Sequence, residues 1–434
     1  MATFSAQEQL MLELVNRARL DPNAEAKRLG ITLNQGIAAG SITAAAKQPL
    51  AGNTLLNDAA RAHSQWMIDH DVFDHTGAGG TSPFQRMTTA GYTGFTAAGE
   101  NIAFRGTTGT LPFTNFVAMQ HDDLFLSVHG HRENILEPGF REIGIGAMTG
   151  VFSDGTGDYN SVLTTQDFGT RSSNPIVTGV AYDDTVVNDN FYSVGEGHSG
   201  ITVTVAQTTS HVTATETAGG YAVTAAAGAA DVTFSGGGLA TDVTVGLTIG
   251  SSNVKIDLVD GHTIQSSASV TLEAGAKNLN LLGIASINGT GNALANVING
   301  GSGNNKLVGG DGNDTLAGGL GADVLKGGAG ADKFDFNKIV ESGLTSATRD
   351  SIQGFQRGID DIDLRTLDAK SGVSGNQAFT FIGAHAFHHV KGELRIVDTG
   401  PNIRVEGDTT GDGHADFQIM VTGIGSLAKG DFLL

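Results

Sequence analysis

The chain of 434 residues has no cysteine, few prolines and few basic residues. The absence of cysteine excludes disulfide bonds, thiol catalysis and zinc sites with cysteine ligands. Only 25 lysines and arginines stand against 45 aspartates and glutamates, which gives a formal net charge of −20. A chain with this charge repels polyanions, so no nucleic-acid partner is expected.

Long apolar runs are missing as well. Gly, Ser, Thr or Asp interrupts each run well before the roughly 18 residues of a membrane-spanning helix, so no transmembrane segment is expected. The first ten residues lack the basic start and apolar core of a secretory signal peptide. Glycine, by contrast, occurs 63 times against 7 prolines. This excess favours an ordered architecture with many positive-φ positions over a disordered tail.

Patterns along the chain divide it into four segments. Residues 1–170 combine amphipathic helix signals with strand signals, which predicts an α+β domain. Residues 171–265 contain short alternating strands, which predict a β-sandwich. A strand lead-in and a repeat follow in residues 266–335, and a β-rich segment occupies 336–434. The predicted fold class is therefore multidomain.

The repeat consists of four nine-residue units that begin at Gly300 and follow the template G-G-x-G-x-D-x-U-x, where U is a large apolar residue. This template is the calcium-binding repeat of parallel β-helices and predicts a parallel β-roll. Its glycines permit positive φ in a six-residue turn, and its aspartate offers a hard oxygen ligand for Ca²⁺. A flexible glycine-rich linker is the alternative, which four in-register units disfavour. The apolar residues should stack into a thin core: Leu307, Leu316, Leu325 and Phe334.

Calcium ligands should come from turns that stack on the same side, which are two units apart. Asn305 is therefore predicted to share a site with Asp323, and Asp314 with Asp332. Because Asn305 carries no charge, the first of these sites should be weaker. The same turns contribute further predicted ligands, which are Gly309, Asp311, Gly318 and Gly327.

The repeat resembles the RTX repeats of proteins exported by bacterial type I secretion. The resemblance continues through Arg349-Asp-Ser-Ile-Gln-Gly-Phe and the terminal Asp431-Phe-Leu-Leu, which are similar to the C-terminal domain of serralysin-type exported proteins. It implies an extracellular protein that the type I secretion machinery recognises at the C-terminus, without an N-terminal signal peptide, and that folds on meeting Ca²⁺. Asp408, Asp412 and Asp416, spaced by four, are a further predicted calcium site, with a solvated acidic loop as the alternative.

Three motifs in residues 1–170 carry a second resemblance. They are Phe73-Asp-His75-Thr-Gly, Gly99-Glu100-Asn-Ile and Gly130-His131-Arg-Glu-Asn-Ile-Leu. This series resembles the bacterial branch of the CAP superfamily, named for cysteine-rich secretory, antigen 5 and pathogenesis-related proteins. The resemblance implies an α-β-α sandwich with a large central cleft.

The CAP cleft carries a tetrad of two histidines and two acids, and its histidine pair can bind Zn²⁺. His75 and His131 match the histidines and Glu100 matches the first acid. The second acid is predicted to be Asp123, with Asp122 as the alternative. A metal-activated water beside Glu100 would permit hydrolysis. The alternative is that the four polar groups only hydrogen-bond to one another in a solvated cleft. The remaining histidines of this segment are interpreted as solvated residues of helix surfaces: His63, His70, His121 and His129.

Residues from Gly179 to Val205 resemble the start of the Sdr- and Cna-type B domains of bacterial surface proteins, which are immunoglobulin- or prealbumin-like sandwiches. The oxygen-rich order of Asp184, Asn188, Asn190 and Glu196 predicts a calcium loop, with an ordinary Asx turn as the alternative. This segment shows no chemistry of its own and is interpreted as a spacer or adhesive domain.

Together these patterns predict a secreted calcium-binding protein exported by type I secretion. Its CAP cleft would bind a metal, Zn²⁺, and an unidentified extracellular ligand that is a lipid, a glycan or a protein. The alternatives are a metal-dependent hydrolase that uses the tetrad and a non-catalytic structural or adhesive surface protein. Binding is favoured over catalysis, because two imidazoles alone hold zinc weakly.

Overall fold

A computed structural model describes residues 3–171 and 174–434, which form two compact units. The first unit runs to Val243 and includes Thr248–Gly261, and the second contains Thr244–Leu247 and His262–Leu434. At this level the prediction is confirmed, since an α/β domain precedes a β-rich region. Among the helices of these residues, none combines the length and the apolarity that crossing a bilayer requires.

Six α-helices belong to the N-terminal part of the first unit. The first begins at the predicted capping box, where the Ser5 hydroxyl accepts from the Glu8 amide and the Glu8 carboxylate accepts from the Ser5 amide. Short 3₁₀ turns occur at Ala78–Gly80, Ile339–Glu341 and Lys429–Asp431. The helices are α1 (Ala6–Leu20), α2 (Pro22–Arg28), α3 (Thr54–His70), α4 (Pro83–Thr89), α5 (Phe113–Leu126) and α6 (His131–Ile135).

A four-stranded sheet carries these helices on both faces. Its strands are β1 (Ala51–Gly52), β2 (Ala97–Thr107), β3 (Glu142–Ser153) and β4 (Asp158–Thr170), in the order β1-β3-β4-β2. On one face, Ile143 and Ile145 of β3 pack in a buried cluster with α1 and α5. On the other, Gly144 and Gly146 lie against the backbone of α3, where a Cβ atom would overlap the helix. The glycines of β3 therefore allow α3 to approach the sheet closely.

The rest of the first unit is strand-rich and packs against α1. Leu10 and Leu14 of α1 share a buried cluster with Val180, Tyr182 and Val259. The strands that follow β4 are β5 (Ile176–Tyr182), β6 (Ile201–Ala206), β7 (His211–Ala214), β8 (Gly220–Thr224), β9 (Gly228–Gly236), β10 (Val243–Ile249) and β11 (Val254–Val259), and the middle of β10, Thr244–Leu247, belongs to the second unit. Antiparallel pairing joins β6 to β7 and β9, while β5 pairs antiparallel with β8 and parallel with β11.

A buried ion network also joins α1 to β11. The ammonium of Lys255 lies 2.8 Å from the Glu13 carboxylate and contacts the Asp257 carboxylate, and all three side chains are buried. Glu13 also accepts from the Gln9 amide at 2.7 Å. Residues on both sides of position 171 thus contribute to one interior.

The second unit contains two ladders of parallel strands. Leu307 pairs in register with Leu325, and Leu316 with Phe334, so that equivalent positions are 18 residues apart. The side chains of these apolar residues are fully buried, as the repeat predicts. One ladder ends in the antiparallel group β24-β25-β26.

The strands of the second unit after β10 are β12 (Thr263–Ser266), β13 (Val270–Leu272), β14 (Asn278–Leu281), β15 (Gly289–Thr290), β16 (Val297–Asn299), β17 (Lys306–Asp311), β18 (Thr315–Ala317), β19 (Val324–Ala329), β20 (Lys333–Asp335), β21 (Ser351–Gln353), β22 (Asp361–Asp363), β23 (Thr380–Phe381), β24 (Glu393–Asp398), β25 (Asn402–Asp408), β26 (Phe417–Thr422) and β27 (Phe432–Leu433).

Candidate metal and ligand sites

Three of the four residues predicted for the tetrad, His75, Glu100 and His131, lie together, and their surroundings are called the cleft. His75 follows α3, Glu100 lies on β2 and His131 begins α6. The Nδ1 atom of His75 lies 2.8 Å from Glu100 Oε1, and the rings of His75 and His131 are 6.4 Å apart between centroids. Because a carboxylate can only accept, Nδ1 of His75 carries the proton and Nε2 offers a lone pair.

Arg86 of α4 occupies the other side of the Glu100 carboxylate. Its Nη2 atom contacts Glu100 Oε2, and its Nη1 atom donates to the backbone carbonyls of His75 and Thr81 at 2.9 and 3.0 Å. Glu100 is thus already charge-paired and acts on His75 as an acceptor. Burial, followed by the nearby His75, lowers the pKa of His131 from its ordinary value. The imidazole of His131 is therefore suited to be a neutral metal ligand.

A second buried carboxyl group lies beside Glu100. Asp167 of β4 pairs in register with Glu100 of β2, and its side chain is fully buried. Burial, followed by the charge of Glu100, raises the pKa of Asp167 well above its ordinary value. The sequence did not indicate Asp167 or Arg86, because neither belongs to a local motif; β-sheet register and the packing of α4 bring them to the cleft.

The predicted second acid is engaged elsewhere. Both carboxylate oxygens of Asp123 accept from the Arg105 guanidinium at 2.7 Å. Asp122, the alternative, contacts Arg28. Of the four predicted residues, the structure brings together His75, Glu100 and His131, while the helix that bears Asp123 supplies ion pairs outside this group.

Two histidines interpreted as solvated are buried, which corrects that prediction. His63 is 1% exposed, and its Nε2 atom lies 3.0 Å from the Asp74 carbonyl oxygen. His121 is 0% exposed and contacts Glu25 at 2.9 Å. A helix pattern marks which face a residue lies on, but not whether a neighbouring segment covers that face.

Glu25, His121 and Asp122 form a group whose ligand atoms lie within 4.8 Å of one another. Arginine side chains already neutralise it, since Arg17 and Arg28 both contact Glu25 and Arg28 contacts Asp122. Although burial alone would raise the pKa of Glu25, hydrogen bonds from His121, Arg28 and Arg17 hold it well below its ordinary value. This group is a buried ion cluster that lacks surplus negative charge for a metal.

In the second unit the predicted calcium ligands form two columns of side chains. Asp323 Oδ1 accepts from the backbone N–H of Asn305 at 2.7 Å, and Asp332 Oδ1 accepts from the backbone N–H of Asp314 at 3.0 Å. These are the two pairs that the repeat predicts. The amide side chain of Asn305 donates to the Ile287 carbonyl oxygen at 2.6 Å and its Oδ1 accepts from the Gly301 amide, so backbone groups satisfy it.

One carboxylate oxygen in each turn is left over. The Oδ2 atoms of Asp314, Asp323 and Asp332 are buried without a hydrogen-bond partner among residues 3–171 and 174–434. Each lies beside a predicted glycine, where a Cβ atom would collide with it: Asp314 beside Gly309, Asp323 beside Gly318, and Asp332 beside Gly327. Orphaned hard oxygens in a glycine-lined space fit a Ca²⁺ ion. Asp311, in contrast, is exposed.

The columns extend beyond the nine-residue units. Asp350 Oδ1 accepts from the Asp323 amide at 2.8 Å, and Asp360 Oδ1 accepts from the Asp332 amide at 3.0 Å. Asp350 also has a buried Oδ2 without a partner among the described residues. Sequence periodicity missed both, because they follow their partners by 27 and 28 residues rather than 18.

Burial shifts the titration of these carboxyl groups upward. It raises the pKa of Asp314 to about 6, of Asp323 to about 7 and of Asp350 to about 8. It also raises the pKa of Asp332 and of Asp360. Protons would therefore compete near neutral pH with any cation that binds these carboxylates.

The other predicted calcium loops use their carboxylates to hold backbone amides. Asp408 accepts from the amides of Gly411 and Gly413, and Asp416 accepts from the amides of Thr409 and Thr410. The geometry favours a loop-holding role for both carboxylates, and the site of Asp408, Asp412 and Asp416 stays a prediction.

The loop of the middle segment shows the same arrangement. Asp184 accepts from the amides of Asp189 and Asn190, and Glu196 accepts from those of Val186, Val187 and Ser193. Both carboxylates thus hold the backbone of the loop, and calcium at Asp184, Asn188, Asn190 and Glu196 also stays a prediction.

Comparison with protein families matches both ends of the chain. Residues 12–168 match the model of the cysteine-rich secretory protein family, CAP, and residues 278–434 match that of the peptidase M10 serralysin C-terminal domain. An uncharacterized protein of Bacillus subtilis, YkwD, is 36% identical over 99 residues, which are 23% of this chain and 35% of that protein. The chain thus spans about a third of the length of this curated relative.

Two solved structures resemble parts of the chain, each at 22% identity. One is the AlgE6R3 subunit of the Azotobacter vinelandii mannuronan C5-epimerase, with a TM-score of 0.25 over 37% of this chain and 80% of that one. The other is an extracellular protein of Bacillus anthracis that contains an SCP domain, with a TM-score of 0.24 over 38% of this chain and 40% of that one.

Proposed function

We propose that this chain, with a CAP domain at residues 12–168 and a serralysin-type C-terminal domain at 278–434, is an extracellular calcium-binding protein whose CAP cleft binds a ligand. The observation that carries the calcium proposal is the set of orphaned carboxylate oxygens beside Gly309, Gly318 and Gly327. Bound Ca²⁺ would complete a parallel β-roll by neutralising these columns. Export by the type I secretion machinery belongs to the same proposal.

Calcium titration of the whole chain tests this proposal. Thermal unfolding and isothermal titration should show binding that Asp323→Asn weakens at least tenfold, because it removes a charge between two ligand turns. Asp398→Asn is the matched control, since Asp398 is exposed at the end of β24 in the same unit. Equal calcium affinity of the wild type and Asp323→Asn, or absence of binding to the wild type, would contradict the proposal.

For the cleft we propose that His75 and His131 hold Zn²⁺ through their imidazole nitrogens. The residues fit this ion in part. Glu100 accepts a hydrogen bond from Nδ1 of His75 and so orients its ring, and burial favours the neutral form of His131. When bound, the ion would act as a Lewis acid toward a polar group of a ligand. The hydrogen bond from His75 to Glu100 sets the direction of one lone pair, and Arg86 holds the Glu100 carboxylate in place by an ion pair. With two imidazoles as ligands, the affinity should be modest.

Zinc titration of the double variant His75→Ala, His131→Ala tests the cleft. The wild type should bind one ion in the micromolar range or tighter, and the double variant should not. His129→Ala is the control, because His129 is an exposed histidine close to the cleft in sequence. Unchanged zinc binding in the double variant would assign the ion to another site.

Hydrolysis is a second candidate, which the coupling of His75 to Glu100 favours. This arrangement leaves Nε2 of His75 as a base that a carboxylate orients. Glu100→Gln would lower a true hydrolytic rate by about 10²-fold or more, the usual contribution of general-base catalysis. A rate that does not change would leave binding, or a purely structural role, as the function of the domain.

A further inference from the structure

His63 has a chemical environment that the proposed cleft function does not use. It lies on α3, is buried, and stacks on Trp66 with ring centroids 5.9 Å apart at an interplanar angle of 11°. Trp66 in turn stacks on His70 at 5.0 Å. The ring of His63 is therefore held in one plane by the surface of its own helix.

Within residues 3–171 and 174–434, one hydrogen bond determines the tautomer of this ring. Nε2 lies 3.0 Å from the backbone oxygen of Asp74, and a carbonyl oxygen can only accept. Nε2 therefore carries a proton and donates a hydrogen bond to the Asp74 carbonyl. The other ring nitrogen, Nδ1, is buried without a partner among the residues that the structure describes.

The acceptor of this bond is the peptide that leads into His75. On the next peptide, the His75 carbonyl accepts from Arg86 Nη1 at 2.9 Å. Two helices, α3 and α4, thus hold two successive carbonyl groups of one loop. The side chain of His75 is 48% exposed, so packing contributes little to its position. The restraint comes instead from the hydrogen bond to Glu100 and from the two backbone anchors of the loop.

Arg86 and His63 differ in what else they contact. Arg86 also pairs with Glu100, so its removal would alter the charge of the cleft. His63 reaches the cleft through the Asp74 carbonyl alone among the contacts described above. We propose that His63 is a positioning residue, which fixes the Asp74–His75 loop so that Nδ1 of His75 meets Glu100 and Nε2 points toward a ligand.

A pair of amide substitutions tests this role, which rests on the proposed metal-binding function for one of its readouts. In His63→Gln the side-chain amide reaches as far as Nε2 and can still donate to Asp74. In His63→Asn it reaches only as far as Nδ1 and cannot. His70→Asn is the control on the same helix, because His70 stacks on Trp66 but is exposed. Circular dichroism would verify that each variant is folded.

The first readout is the ¹⁵N spectrum of the His75 imidazole without metal. The wild type, His63→Gln and His70→Asn should show one tautomer, with the proton on Nδ1. His63→Asn should show mixed tautomers. Retention of the wild-type spectrum in His63→Asn, or its loss in both His63 variants, would overturn the proposal.

The second readout is zinc affinity by isothermal titration. His63→Asn should weaken binding by about 10-fold or more, the usual effect of removing a residue that orients a ligand, and His63→Gln should stay close to the wild type. Equal affinities of the two variants would also contradict a positioning role. If the wild type binds no zinc, the metal proposal fails while the imidazole spectrum still decides the role of His63.

Discussion

At the residue scale, whether a carboxyl group is buried affects its pKa more than whether it belongs to a sequence motif. Asp167 and Asp123 both lie beside cationic or acidic partners, yet only Asp167 is fully enclosed. Its carboxyl is held with a raised pKa, whereas Asp123 forms an exposed bidentate pair with Arg105. Of these two acids, the one that lies beside Glu100 is therefore Asp167, which belongs to no sequence motif.

Asp167→Asn is expected to preserve or increase stability at pH 8. A carboxyl whose pKa is raised in the folded state binds more protons folded than unfolded, so its contribution to stability is lost as pH rises above about 4. The neutral amide has no such dependence. Chemical denaturation at pH 5 and pH 8 should show a smaller loss of unfolding free energy for the variant than for the wild type.

Asp158→Asn is the matched control for that comparison. Asp158 begins the same strand, β4, but is exposed, so its substitution should leave the pH dependence unchanged. A variant Asp167→Asn that is less stable than the wild type at pH 8 would show that Asp167 is ionised in the folded protein.

At the element scale, the turns of the repeat depend on glycine where the backbone takes φ near +135°. Gly330 has this φ, and a Cβ atom there would overlap the carbonyl oxygen of Gly312 in the turn stacked on it. This conformation is essentially restricted to glycine. The stacking distance of the turns therefore limits the side chain at this position to hydrogen.

Gly330→Ala should destabilise the second unit by about 1–3 kcal/mol, the usual cost of placing a residue with a Cβ atom in a sparsely populated region of φ and ψ. Gly425→Ala is the control, because a Cβ atom there would meet nothing within 4 Å and its φ is not left-handed. Thermal unfolding in saturating calcium would measure both. Equal melting temperatures for the two variants would contradict the close stacking.

The carboxylate columns should couple calcium binding to pH. Raised pKa values of about 6, 7 and 8 for Asp314, Asp323 and Asp350 mean that protons occupy these groups as pH falls through that window, which weakens calcium binding. Without calcium, the free energy of unfolding should instead fall as pH rises from about 4 to 8, because the buried carboxyl groups become charged.

Thermal unfolding at pH 5.5 and pH 8.5, each with and without calcium, would measure this coupling. The gain in melting temperature from calcium should be larger at pH 8.5. Asp398→Asn should reproduce the wild type, and Asp350→Asn should reduce the difference. A gain that does not depend on pH would place the bound calcium away from these columns.

At the scale of the molecule, the boundary near residue 171 does not separate two interiors. Lys255 of β11 lies between Glu13 of α1 and Asp257, and all three are buried. The first unit should therefore unfold as one cooperative body, even though the sequence predicts separate domains at 1–170 and 171–265. That prediction of separate domains awaits this test.

Lys255→Met should destabilise the first unit by about 3–5 kcal/mol, because it leaves two buried carboxylates without their cation. Lys27→Met, at an exposed position of α2, is the control. Hydrogen exchange should show faster exchange of α1 and β11 together in the Lys255 variant. Faster exchange in β11 alone would indicate that the two segments fold separately.

Local signals in the sequence were sufficient to predict the features that depend on neighbouring residues or on a strict repeat. The capping box at Ser5 and the 18-residue stacking of Leu307 with Leu325 occur as predicted. Both depend on neighbours close in sequence or on strict periodicity.

Residues that meet through tertiary packing could not be predicted in this way. Arg86, Asp167 and His63 reach the cleft from α4, β4 and α3, and no spacing in the chain relates them. Asp350 and Asp360 join the columns after insertions that interrupt the repeat. Motifs identified His75, Glu100 and His131, but not the residues that surround them.

The carboxylate columns also have a direction. In each step the amide belongs to the earlier residue and the accepting carboxylate to the later one, from Asn305 through Asp323 to Asp350. Every turn is thus completed only when the chain that follows it is in place. We therefore expect the later turns of this column to order first and the earlier turns to follow, because each earlier amide needs the carboxylate that comes after it. A break near residue 350 should then disturb the turns that precede it more than a break near Asn305 disturbs the turns that follow it.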